Sequence, residues 1–533
     1  MKIYAWRNRP PLSELLNLIQ TQPKPLHLVV CLPDKRRPEW PLPNHAAADL
    51  CRLKTALIEA QACLQFNSIN YLPNVLPDVH FWLAPPECAD RLHEHFGTHP
   101  LCWQTEALPQ RPAATLKPWL RPSENRHTRP ERVLVIGAGI AGASTARLLA
   151  EHGIAVCVLE AGEIAAAASG NRQGLLYAKI SPHNTEQTEL LLTGYGYTRR
   201  LLQQSLPQAK SWGGGGVLHL NYNEAERRRN QALGGQSHHA HLYRSVSAAE
   251  AADLAGFPRQ TAFSDGLYWP QGVWLNPPAW IHSLLDHPLI KVYPNTPLTA
   301  VSRQNNMWHA ATPTGHFSAG HIIYCTGAAS PISPEANVAA LPFRQIRGQT
   351  GVANATPFSQ QLRCALSAEG YISPSWQGRH CYGATFILNS SDSRWLEQDE
   401  AANRATLAAL NPELAADLFA HHPPAAAEGH AAVRCDSPDH LPTVGPIADA
   451  AALQTAYAKL ALDKNYRLDT PCPYLPNAYI NTAHGTRGLT TAPICAAALV
   501  AEILNLPNPL SQRLRTALHP NRHLIRAIIK GQR

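Results

Sequence analysis

The chain has 533 residues, 45% of them hydrophobic and 16% charged, with a formal net charge of +8. That length exceeds what one ordinary core can fill, and at roughly 150 residues each two to four folding units are expected. The apolar residues come in short runs rather than in the roughly 18 needed to cross a bilayer, which excludes a membrane-spanning protein and predicts a globular, soluble one.

The N-terminal MKIYAWRNRPP is charged and is not followed by an apolar segment, so no secretory signal or anchor is legible and the cytoplasm is the expected location. Residues 1–125 hold two apolar runs, LHLVVCLP (26–33) and VHFWLAPP (79–86), around a helical stretch, AAADLCRLKTALIEAQACL. They read as a small α/β unit of open purpose. The connector KPWLRPSENRHTRPER carries three prolines, which disfavour regular structure, and the domain boundary is placed there. From residue 132 the pattern becomes strand, Gly-rich turn, helix, strand: VLVIG, AGIAG, ASTARLLAEHG, IAVCVLE. Beyond it, the helical TEQTELLLTGYGYTRRLLQQ alternates with the β-rich HIIYCTG and the block 370–386, without internal repeat.

The turn Gly137, Ala138, Gly139, Ile140, Ala141, Gly142 follows a strand and opens a helix, the context a dinucleotide requires. The first Gly permits the turn, the second lets backbone approach a pyrophosphate, and the third allows close helix packing against the strand. Glu160, at the end of the next strand, is placed to accept hydrogen bonds from a ribose diol. An empty α/β sheet with a Gly-rich turn is the bland alternative. A second close approach at Thr326 and Gly327, and a third at Gly485, Thr486, Arg487, Gly488, Leu489 and Thr490 before the helix APICAAALVAEIL, suit a cofactor threaded through the whole domain. A late helix N-terminus can stabilise negative charge on a reduced flavin, with an ordinary helix-opening turn as the alternative for GTRG.

The twelve cysteines, from Cys31 to Cys495, form no CxxC pair and read as mostly buried thiols. His238, His239 and His241 lack a partnering carboxylate at helical spacing, so a solvated loop is expected there and no metal site. Basic clusters occur at Lys35, Arg36 and Arg37, at Arg227, Arg228 and Arg229, and across Arg513, Arg515, Arg522, Arg526, Lys530 and Arg533. They can track phosphates or simply be solvated faces.

The motifs SGNRQGLLYAKISPHN (169–184), GLYWPQGVWLNPP (266–278), IRGQT (346–350), GYISPSWQGRHCYGATF (370–386), VRCDSPDHLPTVGP (433–446) and HGTRGLTTAPICAAAL (484–499) resemble, in order, the glycine oxidase and D-amino-acid oxidase superfamily. More closely, they are similar to the FAD domain of the bifunctional enzymes that make 5-methylaminomethyl-2-thiouridine in tRNA. The resemblance implies an α/β (α+β) flavoprotein: a Rossmann-type FAD-binding domain interleaved with an antiparallel-sheet substrate domain, plus the small N-terminal α/β unit. The oxidoreductase would span 131–510, with FAD-binding parts at 131–220, 315–335 and 430–505, a substrate part at 221–314 and 336–429, and a basic segment at 511–533.

It further implies that Ser169, Asn171, Arg172, Gln173 and Gly174 wrap the flavin, with a polar loop as the alternative. Arg434 is the carboxylate-binding guanidinium, unless it is a structural Arg paired with Asp436 or Asp439. Tyr371 is a substrate-binding tyrosine or a core aromatic, and Arg487 contacts flavin or substrate. The implied reaction is oxidation of the carboxymethylaminomethyl arm of wobble uridine in tRNA to aminomethyl, with release of glyoxylate. The anticodon loop is the implied partner, dioxygen the electron acceptor, and DNA and membranes are not expected partners. A small-molecule oxidase for glycine, sarcosine or a D-amino acid is the alternative, and a lapsed, non-catalytic flavoprotein a third. The related enzymes carry a methyltransferase domain of over 200 residues; the N-terminal 125 show no strand followed by a Gly-rich turn for S-adenosylmethionine, so methylation is left to a separate enzyme. The N-terminal unit either helps dock tRNA or is purely structural.

Overall fold

Val133, Leu134, Val135 and Ile136 are apolar without alternation, as suits a strand covered on both faces. All four are buried in the strand Arg132–Ile136, near the middle of a six-stranded sheet. The computed structural model describes residues 2–121, 129–206, 210–423 and 428–531. The boundary expected at residue 125 and the terminal Arg533 lie outside them.

The six-stranded sheet runs, edge to edge, Ile290–Tyr293, Ala155–Leu159, Arg132–Ile136, His321–Tyr324, Tyr474–Thr482 and Thr443–Ala448. The first five are mutually parallel and the last is antiparallel. Register aligns Ile136 with Leu159 and Tyr324, and Tyr324 with Ile480. The carboxyl ends of four strands therefore share one edge, where ligands of such sheets bind. Helix Ile140–Glu151 covers one face and packs against Gly488–Leu504, which packs in turn against Glu186–Ser205. Gly194 makes that last contact possible, because a Cβ there would overlap the Thr490 carbonyl.

A nine-stranded, mainly antiparallel sheet stands above that edge, with its long strand Arg344–Asn354 paired to Arg379–Gly383 and Ile387–Leu388 on one side and Glu428–Asp436 on the other. Three expected bounds shift. Val217–Leu220 and Glu428–Asp436 belong to this sheet and not to the nucleotide part. Conversely, Ile290–Tyr293 completes the parallel sheet, followed by a separate three-stranded sheet over residues 300–319. Local propensity marks a strand but not which sheet it joins, since that pairing is long-range.

The N-terminal unit is a five-stranded sheet in which Ile3–Trp6, Asn70–Leu76 and Leu101–Trp103 join the two strands legible in sequence. It docks on helix Glu186–Ser205: the Arg200 guanidinium donates to the Pro73 and Asn74 carbonyls at 2.6 and 2.7 Å, and Tyr71 stacks on Tyr197. The expected solvated loop at His238, His239 and His241 is instead part of this junction. His239 is fully buried, its Nε2 accepting from the Phe66 N–H at 3.0 Å, while His241 Nε2 lies 2.6 Å from the Leu64 carbonyl. A polar local sequence hid an interface whose other half lies more than 170 residues away.

The basic segment expected at 511–533 folds, over its described residues, into two helices, Gln512–Leu518 and Asn521–Ile529. Helix Gly488–Leu504, with the short turn before it, is apolar and long enough to cross a membrane, which the reading of short runs missed. Here it is a core helix, with residues 490–501 buried without interruption.

Candidate active site

The site forms where the parallel strands end. Gly137 adopts φ 108°, a left-handed conformation, and a Cβ on it would lie 2.5 Å from the Cys325 carbonyl oxygen. A Cβ on Gly142 would overlap the Gly137 carbonyl, so only Gly lets the helix start this close to the turn. The helix residue Ile140 donates its N–H to Ser169 Oγ at 3.1 Å, and a Cβ on Gly139 would sit 3.2 Å from the same oxygen. Glu160 takes the Ala138 N–H at 2.6 Å and the Gly162 N–H at 3.0 Å, which pins its carboxylate beside the turn. Thr326, whose hydroxyl lies 2.8 Å from Ser330 Oγ, and Gly327, at φ 50°, follow the neighbouring strand. This is a cradle of backbone amides, a fixed carboxylate and a helix N-terminus, the donor set a dinucleotide's ribose and pyrophosphate need.

The loop 169–174 leaves this cradle for the nine-stranded sheet. Asn171 donates to the Tyr371 hydroxyl at 2.6 Å and accepts from Thr350 Oγ1 at 3.1 Å. Gln173 donates to the Pro374 carbonyl at 2.9 Å, while its own buried amide oxygen has no partner among the described residues. Arg172 turns away: its guanidinium donates to the Trp376 carbonyl at 2.8 Å and lies over the Trp376 ring. Gly174 admits the Leu489 side chain. The turn Gly485–Arg487 brings Arg487 to the same region, Gly485 at φ 56° packing against the Asp436 carboxylate, with Thr486 exposed and the Thr490 hydroxyl donating to the Tyr177 carbonyl. The cradle, the unpartnered side-chain amide oxygen of Gln173 and the converging loop fit FAD.

Arg434 rises from the strand Glu428–Asp436 and lies flat over Gly348 on the neighbouring strand, in space a Cβ at Gly348 would fill. It makes no ion pair among the described residues, and its nearest acceptor is the Thr385 carbonyl at 3.5 Å. Asp436 binds His440 Nδ1 at 2.5 Å, and Asp439 holds Arg522 and Arg526 at 3.0 and 2.8 Å. The structural pairing considered for Arg434 is therefore absent. Arg487 makes no ion pair among the described residues either, and burial lowers the pKa of both guanidinium groups. The Tyr371 hydroxyl donates to the Gln173 carbonyl at 3.0 Å, and burial raises its pKa well above the ordinary phenol value. It serves to lock the 171–173 loop against the sheet near Arg434. Nearby His484 is driven by burial to about 3 and stays neutral, held between Asn481 and Thr491 at 3.0 Å each.

A second polar cluster escaped the sequence reading. Glu226 gathers His219 Nε2 at 3.0 Å, the Tyr222 hydroxyl at 3.0 Å, Lys179 Nζ at 3.3 Å and Arg229. Burial opposes its charge, but His219, Lys179 and Arg229 carry its pKa down to about 2. Lys179 lies within electrostatic reach of Arg487 and belongs to the motif AKISPHN, so the motif itself was its one available signal.

Comparison with known proteins supplies the frame for this geometry. The DAO family, FAD dependent oxidoreductase, matches residues 132–502. The chain is 39% identical over 418 residues to the tRNA 5-methylaminomethyl-2-thiouridine biosynthesis bifunctional protein MnmC of Chromobacterium violaceum, covering 78% of this chain and 62% of that protein. The protein of the same name from Pseudomonas putida is 39% identical over 76% of this chain and 61% of its own length. The chain thus spans about three fifths of these relatives. Among solved structures, glycine oxidase from Geobacillus kaustophilus superposes with a TM-score of 0.57 at 17% identity, over 74% of this chain and all of that one. L-proline dehydrogenase from P. horikoshii gives 0.55 at 15%, over 74% and 98%. With the family matched across most of its length and a cradle fitted to the cofactor, the chain belongs to the FAD dependent oxidoreductases and is an enzyme of that kind.

Proposed function

We propose that the chain oxidises the carboxymethylaminomethyl arm of wobble uridine in tRNA, leaving aminomethyl uridine and glyoxylate. The observation that carries this reading is Arg434, a half-buried guanidinium with no anionic partner among the described residues. Its planar fork suits the two oxygens of a glycine-like carboxylate. FAD held in this cradle would supply a two-electron acceptor for the hydride lost from the α-carbon beside the amine, with dioxygen as the terminal oxidant. The chain orients the arm: Arg434 holds the carboxylate, Gly348 leaves room for that fork, and Tyr371 with Asn171 fixes the loop beneath it. Water then adds to the substrate imine, and the C–N bond breaks to release amine and glyoxylate. Similarity to the bifunctional tRNA-modifying relatives supports the RNA substrate.

The partner in this reading is the anticodon loop, whose unpaired base can be splayed without opening a duplex. The reaction belongs in the cytoplasm, where tRNA is modified, with a separate methyltransferase acting on the product and no role for DNA or membrane.

One observation favours the small-molecule alternative. The basic clusters are largely spent on internal pairs: Lys35 with Glu87, Arg36 with Asp34, Arg227 with Asp265, Arg228 with Glu224, Arg513 with Glu186, and Arg522 and Arg526 with Asp439. Anaerobic titration decides between the two. Flavin reduction by arm-bearing tRNA at a far higher kcat/KM than by glycine or sarcosine supports the RNA reading; the reverse pattern replaces it with an amine oxidase, and no bleaching by either makes the flavoprotein non-catalytic.

A further inference from the structure

We infer that Phe386 and Leu388 form a lip beside Arg434 on which a base of the substrate RNA stacks, an inference that rests on the RNA reading above. Phe386, Ile387 and Leu388 are 54%, 40% and 53% exposed, the one run of three consecutive exposed large apolar side chains among the described residues. Nothing in the core requires them to face water, and a contiguous apolar surface of this kind marks a contact site more often than an accident.

Their position is fixed by the sheet. Ile346 is flanked on one side by Leu388 and on the other by Arg434. The Arg434 guanidinium reaches across Gly348 to within 3.5 Å of the carbonyl of Thr385, the residue immediately before Phe386. The lip therefore begins one residue from the carboxylate-binding group.

This placement by register suits the length of the substrate's arm. In a carboxymethylaminomethyl uridine, four bonds separate the carboxylate carbon from the base ring, a span of roughly 5 Å. A carboxylate held by Arg434 thus leaves its ring just outside the guanidinium's reach, where the apolar side chains stand. A free amino acid would not extend that far. Exposed Arg344, which makes no ion pair among the described residues, opens the strand that carries Ile346 and puts a cation beside the lip for an adjoining phosphate. A flat ring flanked by phosphate fits this combination of apolar faces and one cation.

The test compares wild type with the double variant Phe386→Ser, Leu388→Ser, following anaerobic flavin reduction by arm-bearing tRNA and by N-ethylglycine, which has the same amine and carboxylate but no base. The ratio of kcat/KM for tRNA to that for N-ethylglycine should fall tenfold to a hundredfold, about the worth of one stacked base. An unchanged ratio, whether both rates hold or both fall together, overturns the lip. Wild type reduced by N-ethylglycine but not by tRNA instead removes the RNA reading, and the lip with it. Sedimentation of both proteins covers the remaining occupant: a wild-type dimer lost in the variant would reassign these side chains to contact between copies.

Discussion

At the residue scale, the consequential feature is a guanidinium without a carboxylate among the described residues. Sequence left Arg434 free to pair with Asp436 or Asp439, and the structure gives both acids to other partners. Arg434→Lys should lower kcat/KM for any glycine-like substrate roughly tenfold to a hundredfold through loss of one charge-assisted hydrogen bond, mainly in KM, with the flavin spectrum unchanged. Steady-state kinetics check this; an unaltered KM would remove Arg434 from the carboxylate. Gly142→Ala tests the cradle, since the added methyl meets the Gly137 carbonyl and the turn must open. FAD retention through gel filtration should weaken roughly tenfold, the scale of a modest overpacking strain. Side-chain direction was the part that spacing could not give. Arg172 sits in the flavin-like motif, yet its guanidinium rests on Trp376.

At the element scale, strands and helices with strong periodicity were legible, as in Arg132–Ile136, Glu186–Ser205 and the helix ending at Leu504. Short strands such as Ile3–Trp6 and Leu101–Trp103 were not, because four or three residues carry too little pattern until neighbours pair with them. The C-terminal helices show how charge misleads in one dimension. Arg522 and Arg526 read as part of a basic cluster, but both clamp Asp439, and Arg522 is only 9% exposed. Asp439→Asn leaves that guanidinium uncompensated and should cost about 3 kcal/mol in urea unfolding. A loss below half of that would show that water, rather than Asp439, satisfies Arg522.

At the scale of the whole molecule, the N-terminal unit and the oxidase share buried histidines. Burial brings His239 and His95 to about 3, and His95 Nδ1 lies 2.9 Å from the Asn508 carbonyl across the junction. Each folded pKa lies below the unfolded value near 6.5, so the unfolded chain takes up the proton first as pH falls. Their stabilising contribution is complete above pH 6.5 and is lost between 6.5 and 3, at about 1.4 kcal/mol per pH unit for each group. The urea midpoint should drop between pH 7 and 5, and His239→Gln should flatten that slope; a slope unchanged by the substitution would place the sensitivity elsewhere. The sequence by itself determined the Gly-rich turn between strand and helix, the acid that follows the next strand and the family motifs, because such a turn and its flanking periodicities are local and each residue type has a local steric reason. Only the tertiary structure decided which sheet each strand joins, that Asp436 and Asp439 go to partners other than Arg434, that much of the basic runs pairs with acids, and that the histidine cluster is an interface. Those outcomes depend on pairings between residues distant in the chain, which no local pattern encodes.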